Sequence, residues 1–358
     1  MHSEFNEDVN EELRQCPPPC GVAGSMSQPQ PPEVVAVTGA SGFVGSHLGR
    51  ALKRMGHRVV GIDWALPDHF STDELCDEFR LADLRTFDAC VRALWGCRVV
   101  YHCAGDTTIH RTHHAHTPAR SGCVMNNALV DLHVLEAARQ LGVATLVLGS
   151  ASPPGVHKVF SEYCARLYAR DYGMQVRVAR FRGVYGPRSA WKGGRENAPA
   201  ALCRKVAASR DQLEIWGDGQ QVRSYLFVDD LVEGLVRLAA CDDPRVQAMP
   251  VTFGSTDAVT TIDALADLIM DVAHHPLPKL HVRGREGVHR AAVEDADLGL
   301  MRDVLGWEPP TSLRDGLVAT YDWIFMNIVK DELAGTDTSL YDTSVVAVPE
   351  PHPPLGSS

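Results

Sequence analysis

The sequence has little that would hold it at a membrane or on a nucleic acid. Its 34 lysines and arginines are outnumbered by 45 acidic residues, so the formal net charge is −11. A chain of this charge does not attract phosphate backbones or acidic lipids. No apolar run reaches the length of a bilayer span, and the acidic N-terminus lacks the apolar segment of a signal peptide. We therefore expect a cytoplasmic protein that binds neither nucleic acid nor membrane.

The sequence also lacks a convincing set of metal ligands. Its ten cysteines are scattered through apparent helices and strands, where a reduced protein uses them as small apolar residues. Only Cys16 and Cys20, in CPPPC, are closely spaced, and no second pair of ligands accompanies them. A histidine-rich run over residues 110–116 has no evident carboxylate or thiol partner. No metal is expected.

From residue 33 onward, short apolar runs alternate with helix-length amphipathic segments. The predicted strands include VVAVTG, HRVVGID, CRVVYHCAG, ATLVLGS and MQVRVARF, with helices between them. Strands joined by helices predict an α/β fold with a parallel, doubly wound sheet of the Rossmann type. The predicted parts are a disordered leader (1–32), a nucleotide-binding domain (33–183), a smaller C-terminal α/β lobe whose strands partly return to the sheet (184–333), and an irregular tail (334–358).

The segment VTGASGFVGSHL places Gly39, Gly42 and Gly45 between the first predicted strand and a helix. A glycine-rich turn in this context brings a pyrophosphate onto the helix N-terminus. Phe43 and Val44, inside the same turn, therefore belong to the predicted cofactor site.

Acidic and small residues at the ends of later strands extend this site. Asp63 ends the second strand, where a carboxylate accepts hydrogen bonds from the adenosine ribose and repels a 2′-phosphate. This predicts NAD as the cofactor rather than NADP. Asp83, in LADLR, is assigned to the adenine edge, and Ala104, in HCAG, lets the dinucleotide lie against the fourth strand.

A basic segment, AWKGGRENAPAALCRK, interrupts the acidic chain. Its cations are Lys192, Arg195, Arg204 and Lys205, and its only acid is Glu196. A local excess of positive charge beside two glycines predicts a bound anion. On charge alone, a solvated basic helix start stays open as the alternative.

The glycine spacing, Asp63 and the DLR and HCAG segments resemble the extended short-chain dehydrogenase/reductase superfamily. Later segments narrow the resemblance to the GDP-mannose 3,5-epimerase family, over about residues 34–346. These segments are WKGGRENAPAALCRK, WGDGQQVRSYLFVDDLVEGLVRL, LGW and DTSLYDTSVV. The resemblance implies an NAD-dependent isomerase that converts GDP-mannose to GDP-L-galactose. In that family C4 of the hexose is oxidised transiently while protons are exchanged at C3 and C5. It also implies a GDP-hexose substrate and a homodimer formed through the predicted helices 126–141 and 159–172.

The chain departs from this family at the positions that transfer protons. The family uses a Tyr–Lys pair, a Cys and a second Lys. Lys158 takes the place of the paired Lys, whereas Pro154, Pro153 and Asn197 stand where the Tyr, the Cys and the second Lys are expected. An amide is not a useful proton donor at neutral pH. Lys158, which also holds the cofactor ribose, and Ser150 are therefore the catalytic candidates.

Most positions implied to hold the GDP-sugar are kept. They are Glu196, Ala198, Lys205, Gln221, Arg223, Ser344 and, with its register open, Arg290; Ser150 and Asn197, the latter in place of the family's Lys, are also assigned to the substrate site. The loop after the fourth strand and position 183 differ from the family, which predicts an altered sugar pocket. Three alternatives stay open: an epimerase with impaired catalysis, a catalytically silent NAD- and GDP-sugar-binding paralogue that acts as a sensor or dimer partner, and a coding sequence that lacks a segment near residues 152–158.

Overall fold

The computed structural model describes residues 33–105, 119–151, 156–193, 196–282, 298–339 and 341–342. All of them belong to one compact unit, which spans 33–358. The predicted leader and most of the predicted tail lie outside the described residues. The predicted border between two lobes at residue 184 stays a prediction.

The first half of the described chain alternates strands and helices. In order these are β1 (Val34–Thr38), α1 (Phe43–Arg54), β2 (Arg58–Asp63), α2 (Thr72–Leu75), β3 (Glu78–Leu81), α3 (Phe87–Leu94), β4 (Val99–His102), α4 (Ala119–Gln140), β5 (Thr145–Ala151), α5 (Val156–Tyr172) and β6 (Gln175–Phe181).

The second half is built from shorter strands and further helices. These are β7 (Val184–Tyr185), α6 (Ala198–Ala208), β8 (Leu213–Trp216), β9 (Val222–Ser224), β10 (Leu226–Phe227), α7 (Val228–Ala239), a 3₁₀ turn (Pro244–Val246), β11 (Pro250–Phe253), β12 (Val259–Thr261), α8 (Ile262–Val272), β13 (Lys279–Val282), α9 (Gly299–Leu305) and α10 (Leu313–Leu333).

Seven strands form the central sheet in the order β11-β6-β5-β4-β1-β2-β3, and every neighbouring pair is parallel. This confirms the predicted α/β, doubly wound fold. The strand order reverses between β1 and β4, and ligands of such sheets bind at the carboxyl ends of the strands at that reversal. The reversal therefore marks the place to look for a site.

The inner strands carry apolar residues on both faces, as in VVAVT of β1, because helices cover both faces of the sheet. Val35 and Val37 of β1 pack in one hydrophobic cluster with residues of α1 and α7, whereas Ala36 packs in a second cluster with residues of α3, α4 and α5. A third cluster joins α6, α8 and α10 around β8, with Leu213 and Ile324 fully buried. No helix in the described ranges is both long and apolar enough to cross a bilayer.

Candidate functional site

A glycine-rich turn, Gly39-Ala40-Ser41-Gly42, connects the end of β1 to α1. Gly39 has a φ of +71°, and a Cβ built on it would lie 2.7 Å from the backbone nitrogen of Ala104. A Cβ on Gly45 would lie 2.0 Å from the carbonyl oxygen of Gly39. Gly42, whose N–H donates to Gly39 O at 3.0 Å, precedes a helix whose first turn has no acidic residue. The first-turn N–H groups of α1 are therefore suited to an anion.

Asp63 lies at the end of β2, next to this turn. Its carboxylate accepts the Ser41 N–H at 2.9 Å on Oδ2 and the Trp64 N–H at 2.7 Å on Oδ1. Burial raises the pKa of this carboxyl, and the backbone N–H donors oppose the rise. Because each carboxylate oxygen has two lone pairs, Asp63 keeps acceptor capacity for hydroxyl groups of a ligand.

The two remaining cofactor candidates make contacts within the protein. Asp83 is held by Arg85, with Arg85 Nη2 2.6 Å from Asp83 Oδ2, and this guanidinium lowers the pKa of the carboxyl. The Ala104 N–H donates to Thr38 Oγ1 at 3.3 Å. Their contacts with a dinucleotide stay predictions.

A buried polar network joins β1, β4, α4 and α5. Thr38 Oγ1 lies 2.6 Å from His102 Nδ1, and His102 Nε2 lies 3.0 Å from Asp131 Oδ1. Lys158 Nζ donates to both oxygens of Asp131 at 3.1 Å, and Ser161 Oγ donates to Asp131 Oδ2 at 2.6 Å. Lys158, the predicted catalytic and ribose-binding residue, is thus paired with a carboxylate that the sequence analysis missed.

The charges in this network balance. The Asp131 side chain is only 2% exposed. Burial by itself would raise the pKa of Asp131, but the Lys158 ammonium, His102 and Ser161 hold it well below its ordinary value. Burial also raises the pKa of the neighbouring Cys103 thiol to about 12, so that thiol stays protonated at neutral pH. Asp131 and Lys158 therefore form a buried ion pair.

A sequence signal for Asp131 existed. Asn127, Asp131 and Leu135 are spaced four residues apart on α4, and all three are buried. Residues at this spacing share one helix face. Two polar residues on a buried stripe indicate a polar partner inside the protein, but not which partner.

Ser150, the other catalytic candidate, also has an internal partner. Its hydroxyl is buried and donates to Glu162 Oε1 at 2.6 Å. Glu162 in turn receives Arg180 Nε at 2.9 Å and Arg180 Nη2 at 2.5 Å. A catalytic or substrate contact of Ser150 stays a prediction. Pro153 and Pro154 lie outside the described residues.

The structure corrects the charge argument for the basic segment. Lys192 Nζ donates to Asp331 Oδ2 at 2.5 Å, and Lys205 Nζ lies 3.6 Å from Glu214 Oε1. Lys192 and Lys205 are not uncompensated cations, because each has an acidic partner outside the segment, at Asp331 and at Glu214. A substrate contact of Lys205 stays a prediction, and Arg195 lies outside the described residues.

Arg204 fastens the C-terminal region to this segment. Its side chain is almost completely buried, and it donates from Nε to the Trp191 carbonyl at 2.9 Å and from Nη2 to Glu196 Oε1 at 3.1 Å. Arg204 Nη1 also donates to the Tyr341 carbonyl oxygen. This arginine therefore has a structural task, which the sequence analysis did not predict.

Asn197 is the N-cap of α6. Its Oδ1 accepts the Ala200 N–H at 3.1 Å, and its Nδ2 donates to the Val184 carbonyl at 2.8 Å. Capping by Asn is a common way to satisfy the open N–H groups at a helix start. Ala198 is the first residue of α6.

Two predicted substrate residues have buried atoms without a hydrogen-bond partner among the described residues. These atoms are Glu196 Oε2 and Gln221 Nε2. Arg223, on β9, donates Nη1 to the Val222 carbonyl at 2.8 Å. Arg290 and Ser344 lie outside the described residues, as does the histidine run 110–116. Within the ranges described, no group of three or more metal-ligating side chains is assembled.

The doubly wound sheet, the glycine turn at its strand reversal and Asp63 define a dinucleotide-binding protein of the Rossmann type. The profile of the NAD-dependent epimerase/dehydratase family matches residues 35–155 and 150–248. GDP-mannose 3,5-epimerase of Arabidopsis thaliana is 35% identical, over 90% of each chain. GDP-mannose 3,5-epimerase 1 of Oryza sativa subsp. japonica is 36% identical, again over 90% of each chain. This chain belongs to the NAD-dependent epimerase/dehydratase family, among the nucleotide-sugar epimerases, which confirms the predicted resemblance.

A solved structure shares the architecture. UDP-glucuronic acid 4-epimerase from Bacillus cereus, in complex with UDP-glucuronic acid and NAD, superposes with a TM-score of 0.70 at 25% identity. The alignment covers 82% of this chain and 99% of that one. The similarity extends over nearly the whole of that enzyme.

Proposed function

We propose that this chain is a cytoplasmic protein that binds NAD and a GDP-hexose in the manner of a GDP-mannose 3,5-epimerase, with strongly impaired proton exchange at C3 and C5. The identity to two plant GDP-mannose 3,5-epimerases over 90% of each chain supports the nucleotide sugar. The capping role of Asn197, in the place where that family is expected to have a proton-transferring Lys, is the observation that carries the impairment.

The residues of the glycine turn fit a dinucleotide. A Cβ does not fit at Gly39 or Gly45, and glycines in such a turn let its backbone N–H groups approach a pyrophosphate closely. The first-turn N–H groups of α1 would hold that pyrophosphate, and Asp63 would accept the adenosine ribose hydroxyls. When bound, NAD supplies a hydride acceptor for C4 of the hexose. The protein's own task is to orient the ribose and the sugar.

The unpaired atoms of Gln221 and Glu196 support a polar ligand in the second half of the chain. A buried donor or acceptor without a partner costs about 1–3 kcal/mol, which a ligand atom in hydrogen-bond reach recovers. Arg223, two residues after Gln221 on β9, adds a positive charge suited to a diphosphate. The family resemblance implies that the GDP half of the substrate contacts these residues.

The hydrogen bonds of Asn197, Ser150 and Lys158 support impaired catalysis. Both polar atoms of the Asn197 amide are engaged, Oδ1 as the cap of α6 and Nδ2 with the Val184 carbonyl of β7, and an amide is not a useful proton donor at neutral pH. The Ser150 hydroxyl is directed to Glu162. The Lys158 ammonium forms an ion pair with the Asp131 carboxylate. We therefore expect slow or absent epimerisation despite binding.

Ligand binding and proton exchange can be measured separately. Purified protein should show a higher melting temperature with NAD than with NADP, and it should bind GDP-mannose more tightly than UDP-glucose in calorimetry. GDP-mannose incubated with protein and NAD in heavy water should gain little deuterium at C3 or C5, as followed by NMR. No shift with NAD would refute cofactor binding, preference for UDP-glucose would refute the guanine nucleotide, and rapid labelling would refute the impairment.

A matched pair of variants tests the GDP site. Gln221→Leu should weaken GDP-mannose binding about tenfold, because it removes a buried donor that the ligand is expected to use. Gln220→Leu, at the exposed neighbouring position, should leave the affinity unchanged. Equal affinities of the two variants would remove Gln221 from the substrate site.

The predicted homodimer, whether or not the chain is an active epimerase, is favoured by an exposed apolar stripe on α5. Val156, Val159, Phe160 and Tyr163 are all exposed and follow the i, i+3, i+4, i+7 spacing of one helix face. Met125 of the neighbouring helix α4 is exposed as well. Apolar surface of this kind is typical of a protein–protein interface, and we propose that a second copy of the chain covers it.

Assembly is tested by light scattering after size exclusion. Phe160→Asp should convert the expected dimer to monomers, because a carboxylate would be buried at the interface. Phe325→Asp is the control, since Phe325 lies on α10 with a similar exposure, 43% against 48% for Phe160. A monomeric wild type, or dissociation by both variants, would contradict this arrangement. Fluorescence imaging of the tagged full chain would check the cytoplasmic location.

A further inference from the structure

Asp131 has no task in the proposed reaction, yet it is the centre of the buried network. Its carboxylate receives Lys158 and Ser161 from α5 and is bonded to His102 at the end of β4. A buried charge is retained at a cost unless it is paired and hydrogen-bonded. Four hydrogen bonds to one carboxylate, from three residues, satisfy that requirement and also fix where the carboxylate lies.

The bond geometry constrains the Lys158 side chain in particular. A lysine ammonium is a point charge on a flexible stem and does not choose an orientation by itself. Here Nζ is 3.1 Å from each oxygen of Asp131, so two of its three N–H groups are directed to one carboxylate. The side chain is 12% exposed. Among the described residues no other partner takes the third N–H, which leaves it for a ligand.

The same network extends to the backbone beside the glycine turn. Thr38 Oγ1 accepts the Ala104 N–H, so its own proton is available to His102 Nδ1. His102 Nε2–H then donates to Asp131. The Ala104 nitrogen is the atom that a Cβ on Gly39 would meet. Hydrogen bonds therefore connect Lys158 with the strand ends where the dinucleotide is proposed to bind.

We propose that Asp131 is a positioning residue for Lys158: held by His102 and Ser161, its carboxylate directs the Lys158 ammonium toward the hydroxyls of the nicotinamide ribose. This inference rests on the proposed binding of NAD. Asp131 acts only through Lys158 and touches neither cofactor nor sugar.

The test compares ligands that do and do not contain this ribose. ADP lacks it, whereas ADP-ribose and NAD contain it. Calorimetry on the full chain should give the same ADP affinity for wild type and Asp131→Asn. The affinities for ADP-ribose and NAD should be about tenfold lower for the variant. Glu136→Gln, the same kind of change elsewhere on α4, should bind all three ligands like wild type. A general structural defect would lower ADP affinity as well, so the selective loss identifies positioning.

Two further variants test the same role of Asp131. Ser161→Ala removes one bond to Asp131 without removing a charge, and it should show the same selectivity at about two- to threefold. In a Lys158→Met background, Asp131→Asn should cause no additional loss of ADP-ribose affinity. The proposal is overturned if folded Asp131→Asn binds ADP-ribose like wild type, or if the losses in the double variant are additive. If Asp131→Asn does not fold, the absence of a selective loss in Ser161→Ala overturns it. A wild type that binds neither ADP nor NAD would instead refute cofactor binding, and the positioning role with it.

Discussion

The ion pair between Lys158 and Asp131 makes a sharp prediction about stability. Lys158→Met keeps the apolar stem but removes the cation from a carboxylate that is 2% exposed. Removing one partner of a buried ion pair costs about 3–5 kcal/mol. His102 and Ser161 remain bonded to Asp131, so we expect a value near the lower end. With an unfolding entropy of about 2.1 cal/mol/K per residue over roughly 300 residues, the melting temperature should fall by about 5 °C.

Adding Asp131→Asn to Lys158→Met should restore most of that stability, because the stranded charge is removed with its partner. Asp131→Asn therefore destabilises the wild type and stabilises the Lys158→Met variant, which urea denaturation of the four proteins measures directly. Glu136→Gln is the control, since it should not rescue Lys158→Met. A double variant less stable than Lys158→Met would show that Asp131 does not carry the charge we assign to it.

The same pair predicts a pH dependence. The pKa of Asp131 lies below its ordinary value of 3.8 in the folded protein, so its stabilising contribution is present above that value and is lost as the pH falls toward the folded pKa. The difference in unfolding free energy between wild type and Asp131→Asn should be constant above about pH 5 and shrink below about pH 4. A difference that stays constant down to pH 3 would refute a depressed pKa.

Three further predictions concern other parts of the molecule. Gly45→Ala should abolish NAD binding, because its Cβ would lie 2.0 Å from a backbone oxygen. Gly122→Ala on α4 is the control: its Cβ would have no atom within 4 Å, so it should stabilise the protein by up to about 1 kcal/mol in thermal melts. Arg204→Met should lower the unfolding free energy by about 3 kcal/mol, since a paired carboxylate loses its cation; a change under about 1 kcal/mol in urea denaturation would contradict this. Asp63→Ser should reduce the preference for NAD over NADP at least tenfold in titrations, because it removes the charge that repels a 2′-phosphate, and an unchanged ratio would exclude that role.

The basic segment shows why charge counted along a sequence is an incomplete guide to binding. Lys192 and Arg204 stand near one another with a single acid between them in the sequence, which suggested an uncompensated cationic site. In the folded chain, Asp331 lies 139 positions from Lys192 and the Tyr341 carbonyl 137 positions from Arg204. Folding brings these acceptors in, so the segment fastens the C-terminal region instead of presenting free charge.

Local rules made the fold and half of the candidate site predictable. The alternation of apolar strands and amphipathic helices determines a parallel, doubly wound sheet, because each element can bury its apolar face only against a neighbour of the other kind. Gly39 and Gly45 are recognisable from their spacing between a predicted strand and a helix, although the atoms that exclude a Cβ are local only for Gly45, at Gly39, and lie at Ala104 for Gly39. Asp63 follows from its place at the end of β2.

Tertiary structure alone decided what the polar groups of the site do. Lys158 meets Asp131 from 27 positions away, Ser150 meets Glu162 on α5, and Asn197 is engaged with Val184. The partner of a buried charge is chosen by the packing of whole helices and strands, and no local pattern specifies that choice. The sequence by itself determined a Rossmann-type chain of the nucleotide-sugar epimerases, and it predicts a departure at the proton-transfer positions. Only the folded chain revealed that the remaining groups are held in internal bonds, since burial requires each of them to find a partner.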